Sequence, residues 1–312
     1  MKTISYIIPC YRSADTLRTV VDEIDDTMKP MADYRHEIIL VNDASPDDTF
    51  EVIKNLCLEK SHLTGINLAR NFGQHAALMA GFHKANGDIV ICLDDDGQTP
   101  ADEASKLITA IEEGSDVVYA KYIQKQHSGL RNIGSKINDL MARVMIGKPK
   151  KLYLSSYFAV KRFVADEIIR YEGAYPYVIG LVLRTTKNII NVDVSHRARL
   201  SGTSGYTIGK LFALWLNGFT AFSIKPLRMA TLIGATSAMS GFIYAIFTIV
   251  RRLFFEAEGY VTGFAAMISA ILFIGGLILL MLGVVGEYIG RMYITMNNSP
   301  QYVIKETIPP ER

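Results

Sequence analysis

The sequence predicts an α/β protein built on a doubly wound, mostly parallel sheet and followed by two membrane-spanning helices. Short apolar segments alternate with amphipathic helical segments over the first 120 residues. Strict alternation of this kind produces parallel strands that are covered by helices on both faces. Beyond Pro226, two segments without charge, residues 230–250 and 262–286, each exceed the ~20 residues that a bilayer crossing needs.

The individual elements follow from the spacing of apolar residues. Strands are expected at residues 4–9, 37–41, 63–68, 89–93 and 116–120, and helices at residues 14–28, 49–60, 76–85 and 101–114. The carboxyl ends of parallel strands share one edge of the sheet, so the polar segments that follow the first four strands should meet there. A ligand site is therefore expected at that edge.

Three adjacent carboxylates, Asp94, Asp95 and Asp96, follow the fourth predicted strand. Adjacent acids repel one another, and a fold tolerates them where a cation compensates their charge. On an extended chain Asp94 and Asp96 point the same way and Asp95 points the other way. Carboxylates at this spacing suit Mg²⁺ or Mn²⁺, which can also hold a diphosphate. The alternative is a solvated acidic turn before a helix capped by Thr99 or Asp102.

Composition excludes some classes of protein. A net charge of +2 and a pI of about 8.3 offer no basis for nucleic-acid binding. Mean hydropathy is +0.18, which is high for a soluble enzyme, and the apolar excess lies after Pro226. Cys10, Cys57 and Cys92 lack metal-ligand spacing and are expected to be buried thiols in a reducing compartment. The amino terminus has no signal-peptide pattern, so the first domain is expected to stay in the cytoplasm.

Four segments follow the predicted strands: Ile-Pro-Cys-Tyr at 8–11, Val-Asn-Asp-Ala-Ser at 41–45, Ala-Arg-Asn-Phe-Gly at 69–73 and Asp-Asp-Asp-Gly-Gln at 94–98. In sequence and order they resemble the corresponding segments of family 2 glycosyltransferases. The resemblance is strongest to the branch with dolichyl-phosphate mannose synthase and the bacterial polyprenyl-phosphate glycosyltransferases, and it covers nearly the whole chain. It implies a GT-A-type, Rossmann-like fold, a nucleotide-sugar donor and metal-dependent, inverting transfer to a polyprenyl phosphate.

The resemblance also implies a set of donor-binding residues. Asp43 is expected to meet the nucleobase, and a carboxylate that accepts from the imide N–H of uracil would favour a UDP-sugar. Asn42 stands where the family usually has Asp. Arg70 is expected to meet the donor phosphates or sugar, the alternative being an ordinary surface arginine. The full donor set is Pro9, Tyr11, Asp43, Arg70, Asp94 and Asp95.

For metal and catalysis, Asp94 and Asp96 resemble the metal-binding pair, with Gln98 as a further ligand of Mg²⁺ or Mn²⁺. Relatives commonly have an Asp, taken as the catalytic base, where Ser156 stands. A polyprenyl phosphate has a second pKa near 6 and is already an oxyanion at about pH 7, so a hydroxyl could orient it. Ser155 and Ser156 resemble a sub-branch of aminoarabinose-type transferases, or are simply two serines at a strand start. The implied catalytic set is Asp96, Ser156 and Arg199.

Residues 196–206 match the Arg…Gly-x-Ser-x-Tyr pattern of the same branch. Relatives use its arginine for the phosphates of donor or acceptor, a task that suits the planar guanidinium. Arg199 is the better match and Arg197 the second. The implied acceptor-phosphate set is Arg131, Arg197, Arg199, Ser204 and Tyr206.

The expected domains are a cytoplasmic catalytic domain at 1–205, an amphipathic juxtamembrane helix at 206–225, two transmembrane helices at 226–288 and a cytoplasmic tail at 289–312. The basic amphipathic segment at 121–151 is either a surface helix or, as we favour, a membrane-interface helix. Lys225 and Arg228 agree with the positive-inside rule, whereas Arg251 and Arg252 oppose it.

Together these features predict a multi-pass enzyme of the inner membrane that moves a sugar from a nucleotide sugar to undecaprenyl phosphate for cell-envelope glycan modification. Its expected partners are the UDP-sugar, the polyprenyl phosphate, the bilayer, a separate flippase and further copies of the chain. The pattern leaves open whether a hexose or an aminopentose is moved. One alternative is a processive polysaccharide synthase, which would carry a Gln-x-x-Arg-Trp signature and more spans. Another is a non-catalytic nucleotide-sugar-binding scaffold.

Overall fold

The computed structural model describes residues 1–122, 143, 147–195, 225–254 and 263–310. The chain divides into two units, which we describe separately. The first comprises Met1–Gly218 together with Asn298–Arg312, and the second comprises Phe219–Asn297. The predicted juxtamembrane helix at 206–225 and most of the basic segment at 121–151 lie outside the described residues.

The first unit is built on a sheet in which eight strands are described. In chain order they are β1 (Lys2–Cys10), β2 (Tyr34–Asn42), β3 (Leu63–Leu68), β4 (Ile89–Cys92), β5 (Val117–Tyr122), β6 (Phe158–Lys161), β7 (Ile189–Val194) and β8 (Ile304–Ile308). Their order in space is β7-β5-β6-β4-β1-β2-β3-β8. The pairs β1–β2, β1–β4, β2–β3 and β5–β7 are parallel, while β6 and β8 are antiparallel to their neighbours. The predicted mostly parallel α/β sheet is confirmed.

Helices cover this sheet because their apolar residues recur at helical spacing. They are α1 (Leu17–Met28), α2 (Thr49–Glu59), α3 (Gln74–Lys84), a 3₁₀ turn (Ala101–Glu103) leading into α4 (Ala104–Glu112), α5 (Arg162–Ile169) and α6 (Val178–Thr185). One face of α1 is buried in a core that also contains Ile4, Ile38 and Ile91. Burial of such side chains contributes roughly 1.5–3 kcal/mol each and fixes the strand ends relative to one another.

The order of the strands places the candidate site. The chain runs from β1 to β2 and β3 on one side and then returns to β4 on the other side of β1. The strand order therefore reverses between β1 and β4, and in open α/β sheets ligands bind at the carboxyl ends of the strands at such a switch point. Asp94, Asp95 and Asp96 follow β4 at this position.

The segment after the second unit returns to the sheet. β8 pairs with β3, and the Ala69 N–H donates to the Val303 carbonyl over 2.8 Å. The side chain of Gln301 donates to the Tyr171 carbonyl. The sequence predicts a tail here and no strand, because the five residues of β8 are mostly exposed and have little apolar pattern.

In the second unit, the described residues form two long helices, α7 (Lys225–Phe254) and α8 (Gly263–Met296). Within α8, Phe273–Met296 is long and apolar enough to cross a membrane, and it is the one such segment found in the described part of the chain. α7 is 30 residues long and contains the first predicted span, 230–250, whose assignment as a span stays a prediction. Large apolar side chains on both helices are exposed, among them Phe242, Phe273 and Leu279.

Candidate active site

The carboxylate of Asp94 lies at the centre of the site, two residues beyond β4. The side-chain amide of Gln74, the first residue of α3, donates to Oδ1 over 2.9 Å. The Ser156 hydroxyl donates to Oδ2. Burial raises the pKa of Asp94 to about 6, the charges of Asp96 and Asp95 act in the same direction, and the two hydrogen bonds oppose them. These two donors are neutral, so they solvate the carboxylate without compensating its charge.

Asp95 binds the loop after β1 instead. Its Oδ2 accepts a hydrogen bond from the Tyr11 backbone N–H over 2.9 Å, and its carbonyl accepts one from the Thr16 hydroxyl over 2.6 Å. Burial raises the pKa of Asp95, and the bond from the Tyr11 backbone opposes this. These bonds also explain why α1 begins at Leu17 rather than at residue 14, because the preceding residues form the loop that contacts Asp95.

Asp96 and Gln98 lie in one turn at the same edge. The Gln98 backbone N–H donates to Asp96 Oδ1 over 3.0 Å. Gly97 between them has φ +72°, a left-handed conformation that glycine adopts without steric cost. The turn therefore keeps the second predicted metal-binding carboxylate beside the predicted amide ligand.

Asp43, directly after β2, binds the loop between β3 and α3. Its two carboxylate oxygens accept hydrogen bonds from the backbone N–H groups of Phe72 and Gly73 over 2.7 and 2.8 Å. Burial raises the pKa of Asp43, and these two bonds oppose the increase. The loop that Asp43 holds contains Arg70 and leads directly into Gln74. A contact between Asp43 and a nucleobase stays a prediction.

Asn42 has a structural role that accounts for an amide at this position. Its Nδ2 donates to Asn67 Oδ1 over 2.9 Å, and its Oδ1 accepts from the Ser45 backbone N–H over 3.2 Å. An amide can donate and accept at once, whereas a carboxylate could only accept. Asn42 therefore connects β2 to β3 and shapes the loop that follows Asp43.

The remaining predicted donor residues lie at the same edge. Pro9 belongs to β1, where it pairs in register with Val41. The Tyr11 side chain is 45% exposed, and Arg70 is exposed with its guanidinium 4.3 Å from the centre of the Phe72 ring. An exposed ring and an exposed guanidinium beside a carboxylate cluster can stack on a base and bind phosphate.

The structure thus brings together the predicted residues at the strand ends with Ser156, which belongs to a segment about 60 positions further along the chain. Arg131, Arg197, Arg199, Ser204 and Tyr206 lie outside the described residues. Sequence reasoning missed Gln74 and Thr16, which both contact the acidic triplet. Gln74 had one available signal, because it lies in a strand-end segment just before the helix predicted at 76–85 and so at the expected ligand edge.

Comparison with known sequences agrees with this architecture. Residues 5–169 match the model of glycosyl transferase family 2, and residues 225–292 match that of the GtrB C-terminal hairpin. The undecaprenyl-phosphate 4-deoxy-4-formamido-L-arabinose transferase of Pectobacterium atrosepticum is 33% identical over 99% of this chain and 94% of the relative. The enzyme of the same name from Proteus mirabilis is 33% identical over 98% of this chain and 94% of the relative.

Among solved structures, glucosyl-3-phosphoglycerate synthase from Mycobacterium tuberculosis shares the fold. Its complex with Mn²⁺ and UDP-glucose matches with a TM-score of 0.51 and 21% identity over 75% of this chain and 78% of that chain. A complex of the same enzyme with Mn²⁺, UDP and phosphoglyceric acid also gives 0.51 and 21%, over 68% and 74%. The predicted resemblance is confirmed: the chain belongs to glycosyltransferase family 2 and is a glycosyltransferase.

Proposed function

We propose that this glycosyltransferase moves a sugar from a UDP-sugar to undecaprenyl phosphate at the cytoplasmic membrane. The observation that carries the proposal is the acidic triplet at the switch point of the sheet, where Asp94 is solvated by the neutral donors Gln74 and Ser156. Such a cluster suits a cation-bound diphosphate. Relatives 33% identical over nearly the whole chain are named for transfer to undecaprenyl phosphate, which supports the choice of acceptor.

The sugar we propose is an aminopentose of the 4-deoxy-4-formamido-L-arabinose type. The names of the relatives support this choice. So does the pair Ser155 and Ser156, which resembles the corresponding pair in aminoarabinose-type transferases. This choice also excludes a processive polysaccharide synthase, which would extend a polymer and not load a single sugar on a lipid.

The residues at the strand edge fit a divalent cation. Asp94, Asp96 and Gln98 would hold Mg²⁺ or Mn²⁺, since oxygen ligands suit these ions and the donors to Asp94 leave its charge uncompensated. When bound, the ion would compensate the negative charge of the leaving diphosphate. Asp43 fixes the loop from which Arg70 can reach the donor phosphates.

The acceptor phosphate is an oxyanion at about pH 7 and can attack the anomeric carbon without a strong base. The phosphate oxygen forms the new bond to that carbon as the bond to the UDP oxygen breaks, and the configuration inverts. Ser156 contacts Asp94, so we propose that it positions this carboxylate and orients the acceptor. Arg199 and the acceptor set of Arg131, Arg197, Ser204 and Tyr206 are proposed from the family resemblance alone.

We also propose that α7 and α8 both cross the inner membrane, with the catalytic sheet in the cytoplasm. β8 follows α8 in the chain and pairs with β3, so the chain begins and ends on one side of the membrane. An even number of crossings satisfies this condition, and the span within α8 therefore needs a second one. The sugar is then attached on the cytoplasmic side, which requires a separate flippase. We also propose that copies of the chain associate into homo-oligomers.

The first test measures transfer directly. Purified protein, undecaprenyl phosphate and a panel of UDP-pentoses and UDP-hexoses are incubated, and lipid-linked products are identified by mass spectrometry. We expect a lipid-linked product from the UDP-4-formamidopentose. The Asp96→Asn variant should form at least about 100-fold less of this product, and EDTA should abolish transfer reversibly. Asp33→Asn, an exposed acid in the turn before β2, is the matched control and should retain activity. Full turnover in excess EDTA, or no product from any donor, contradicts the proposal.

The second test concerns Ser156. In this proposal the Ser156 hydroxyl orients the acceptor phosphate, which is already charged, and removes no proton from it. Ser156→Ala should therefore slow transfer only about tenfold. Ser155→Ala is the control, since the Ser155 hydroxyl donates to the Tyr157 carbonyl within its own segment and should matter little. A loss of ~10²–10⁴-fold, typical of general-base catalysis, would show that Ser156 takes part in proton transfer.

The third test uses the raised pKa of Asp94. Its folded-state pKa of about 6 exceeds the ordinary 3.8, so its protonated form favours folding and this stability is lost as pH rises towards 6. In EDTA at about pH 8, the isosteric Asp94→Asn variant should be more stable by up to about 3 kcal/mol, with a higher Tm. Below about pH 4 the difference should vanish. An Asp94→Asn variant that melts below the parent at pH 8 would show that the ionised carboxylate stabilises the fold.

The fourth test is topological. The cysteines of the chain, Cys10, Cys57 and Cys92, are buried, so an introduced thiol can be labelled selectively. A membrane-impermeant thiol reagent should label Gly259→Cys, between α7 and α8, from the outer face of intact cells. It should label Lys305→Cys in β8 only after permeabilisation. The reverse pattern at either position would rule out the two-span arrangement.

A further inference from the structure

Three potential metal ligands lie together far from the acidic triplet. They are Asp25 on α1, His36 in β2 and His62 just before β3. The Nε2 atoms of His36 and His62 lie 2.9 and 2.8 Å from the same Asp25 oxygen, Oδ1. His36 is near the start of β2, about 20 Å along the strand from Asp43. The cluster is therefore at the amino-terminal edge of the sheet, opposite the proposed active site.

We propose that Asp25, His36 and His62 form a second, structural metal site that binds Zn²⁺. Two imidazole nitrogens and one carboxylate oxygen are a ligand set that zinc prefers. The three ligand atoms all lie within 4.8 Å of one another. Zinc bonds of about 2.0–2.2 Å in tetrahedral geometry require separations of roughly 3.4 Å, so small side-chain adjustments suffice.

The surroundings pre-organise these ligands. Each ligand comes from a different element, and the imidazole rings pack edge to face with centroids 4.6 Å apart. Side-chain exposure is 15% for Asp25, 21% for His36 and 30% for His62, which leaves a solvent-facing fourth position for water. Zinc requires deprotonated Nε2 atoms, and binding would replace the two hydrogen bonds to Oδ1 with three metal bonds.

Lys60 is expected to lower the affinity of the site for zinc, and it also determines which Asp25 oxygen is available as a ligand. Its Nζ lies 2.6 Å from Asp25 Oδ2 and 2.6 Å from Asp22 Oδ1, so Oδ1 is the Asp25 oxygen that faces the imidazoles. Burial raises the pKa of Asp25, but hydrogen bonds from His36, His62 and Lys60 outweigh this and hold the pKa well below its usual range. The carboxylate is thus ionised and available as a single-oxygen ligand. The lysine charge opposes the metal charge, and we expect a lower affinity than in a closed site.

A bound ion would tie α1 to the starts of β2 and β3. It would bind the folded chain and not the unfolded one, so zinc should raise the stability of the protein. It touches none of the groups assigned to sugar transfer, and loss of a zinc ligand should leave transfer largely intact.

The test uses the full chain, purified in detergent through a tag without histidine and stripped with EDTA. The Asp96→Asn background is used so that ion binding at the active site does not interfere. Equilibrium dialysis should give one bound Zn²⁺ per chain and zinc should raise Tm. His36→Gln and His62→Gln should each weaken binding at least about tenfold and remove the Tm shift. His83→Gln, on α3 with its ring against the Met79 carbonyl, is the matched control and should bind zinc as before.

Folding of the histidine variants is checked by their transfer activity in the chain with Asp96 intact, which should be unchanged. Removal of the opposing charge by Lys60→Gln should tighten zinc binding by about tenfold. Equal zinc content and equal Tm shifts in the parent and in His36→Gln would overturn the proposal. The same holds if zinc fails to bind the parent, since the cluster would then be a hydrogen-bond network alone.

Discussion

Mutual repulsion among Asp94, Asp95 and Asp96 is the constraint on which the architecture of the site depends. The chain separates the three carboxylates by giving them different partners. Asp95 binds the loop after β1, Asp94 binds α3 and Ser156, and Asp96 accepts from the backbone of its own turn. The three acidic side chains thereby join the loops after β1 and β4, the segment before β6 and the start of α3.

Asp43, at the end of β2, likewise uses its carboxylate to hold a neighbouring loop. Its carboxylate accepts two backbone N–H groups, so the loop containing Arg70 is fixed before any ligand arrives. Two nearby residues, Arg12 and Ala44, have left-handed backbones that cost about 1 kcal/mol or more each. The Arg12 N–H donates to the Ser45 hydroxyl over 2.7 Å, which connects the two strained loops. Hydrogen bonds of this kind hold the two strained loops in one conformation, and a pre-organised site loses less entropy when a ligand binds.

The parts of the fold that were predictable from sequence depend on local pattern. The first five strands and the helices between them were predicted because buried strands are continuous apolar segments and amphipathic helices repeat every 3.6 residues. The insertion of β6 between β4 and β5, and the addition of β8 to β3, depend on pairing between distant segments, which periodicity does not encode. The contacts of Ser156 and Gln74 with Asp94 were missed for the same reason. The Asp25 cluster joins three elements whose ligands show no regular spacing.

The position of β8 connects the C-terminal segment directly to the loop that contains Arg70. The Ala69 N–H, just beyond β3, is satisfied by the carbonyl of Val303, and Ala69 is followed at once by Arg70 and the loop bound by Asp43. An edge strand left open would expose the unpaired backbone groups of β3. β8 covers this edge, although residues 225–297 separate it in the chain from the rest of the sheet. The loop that contains Arg70 therefore begins at a residue whose backbone is held by a segment more than 230 positions further along the chain.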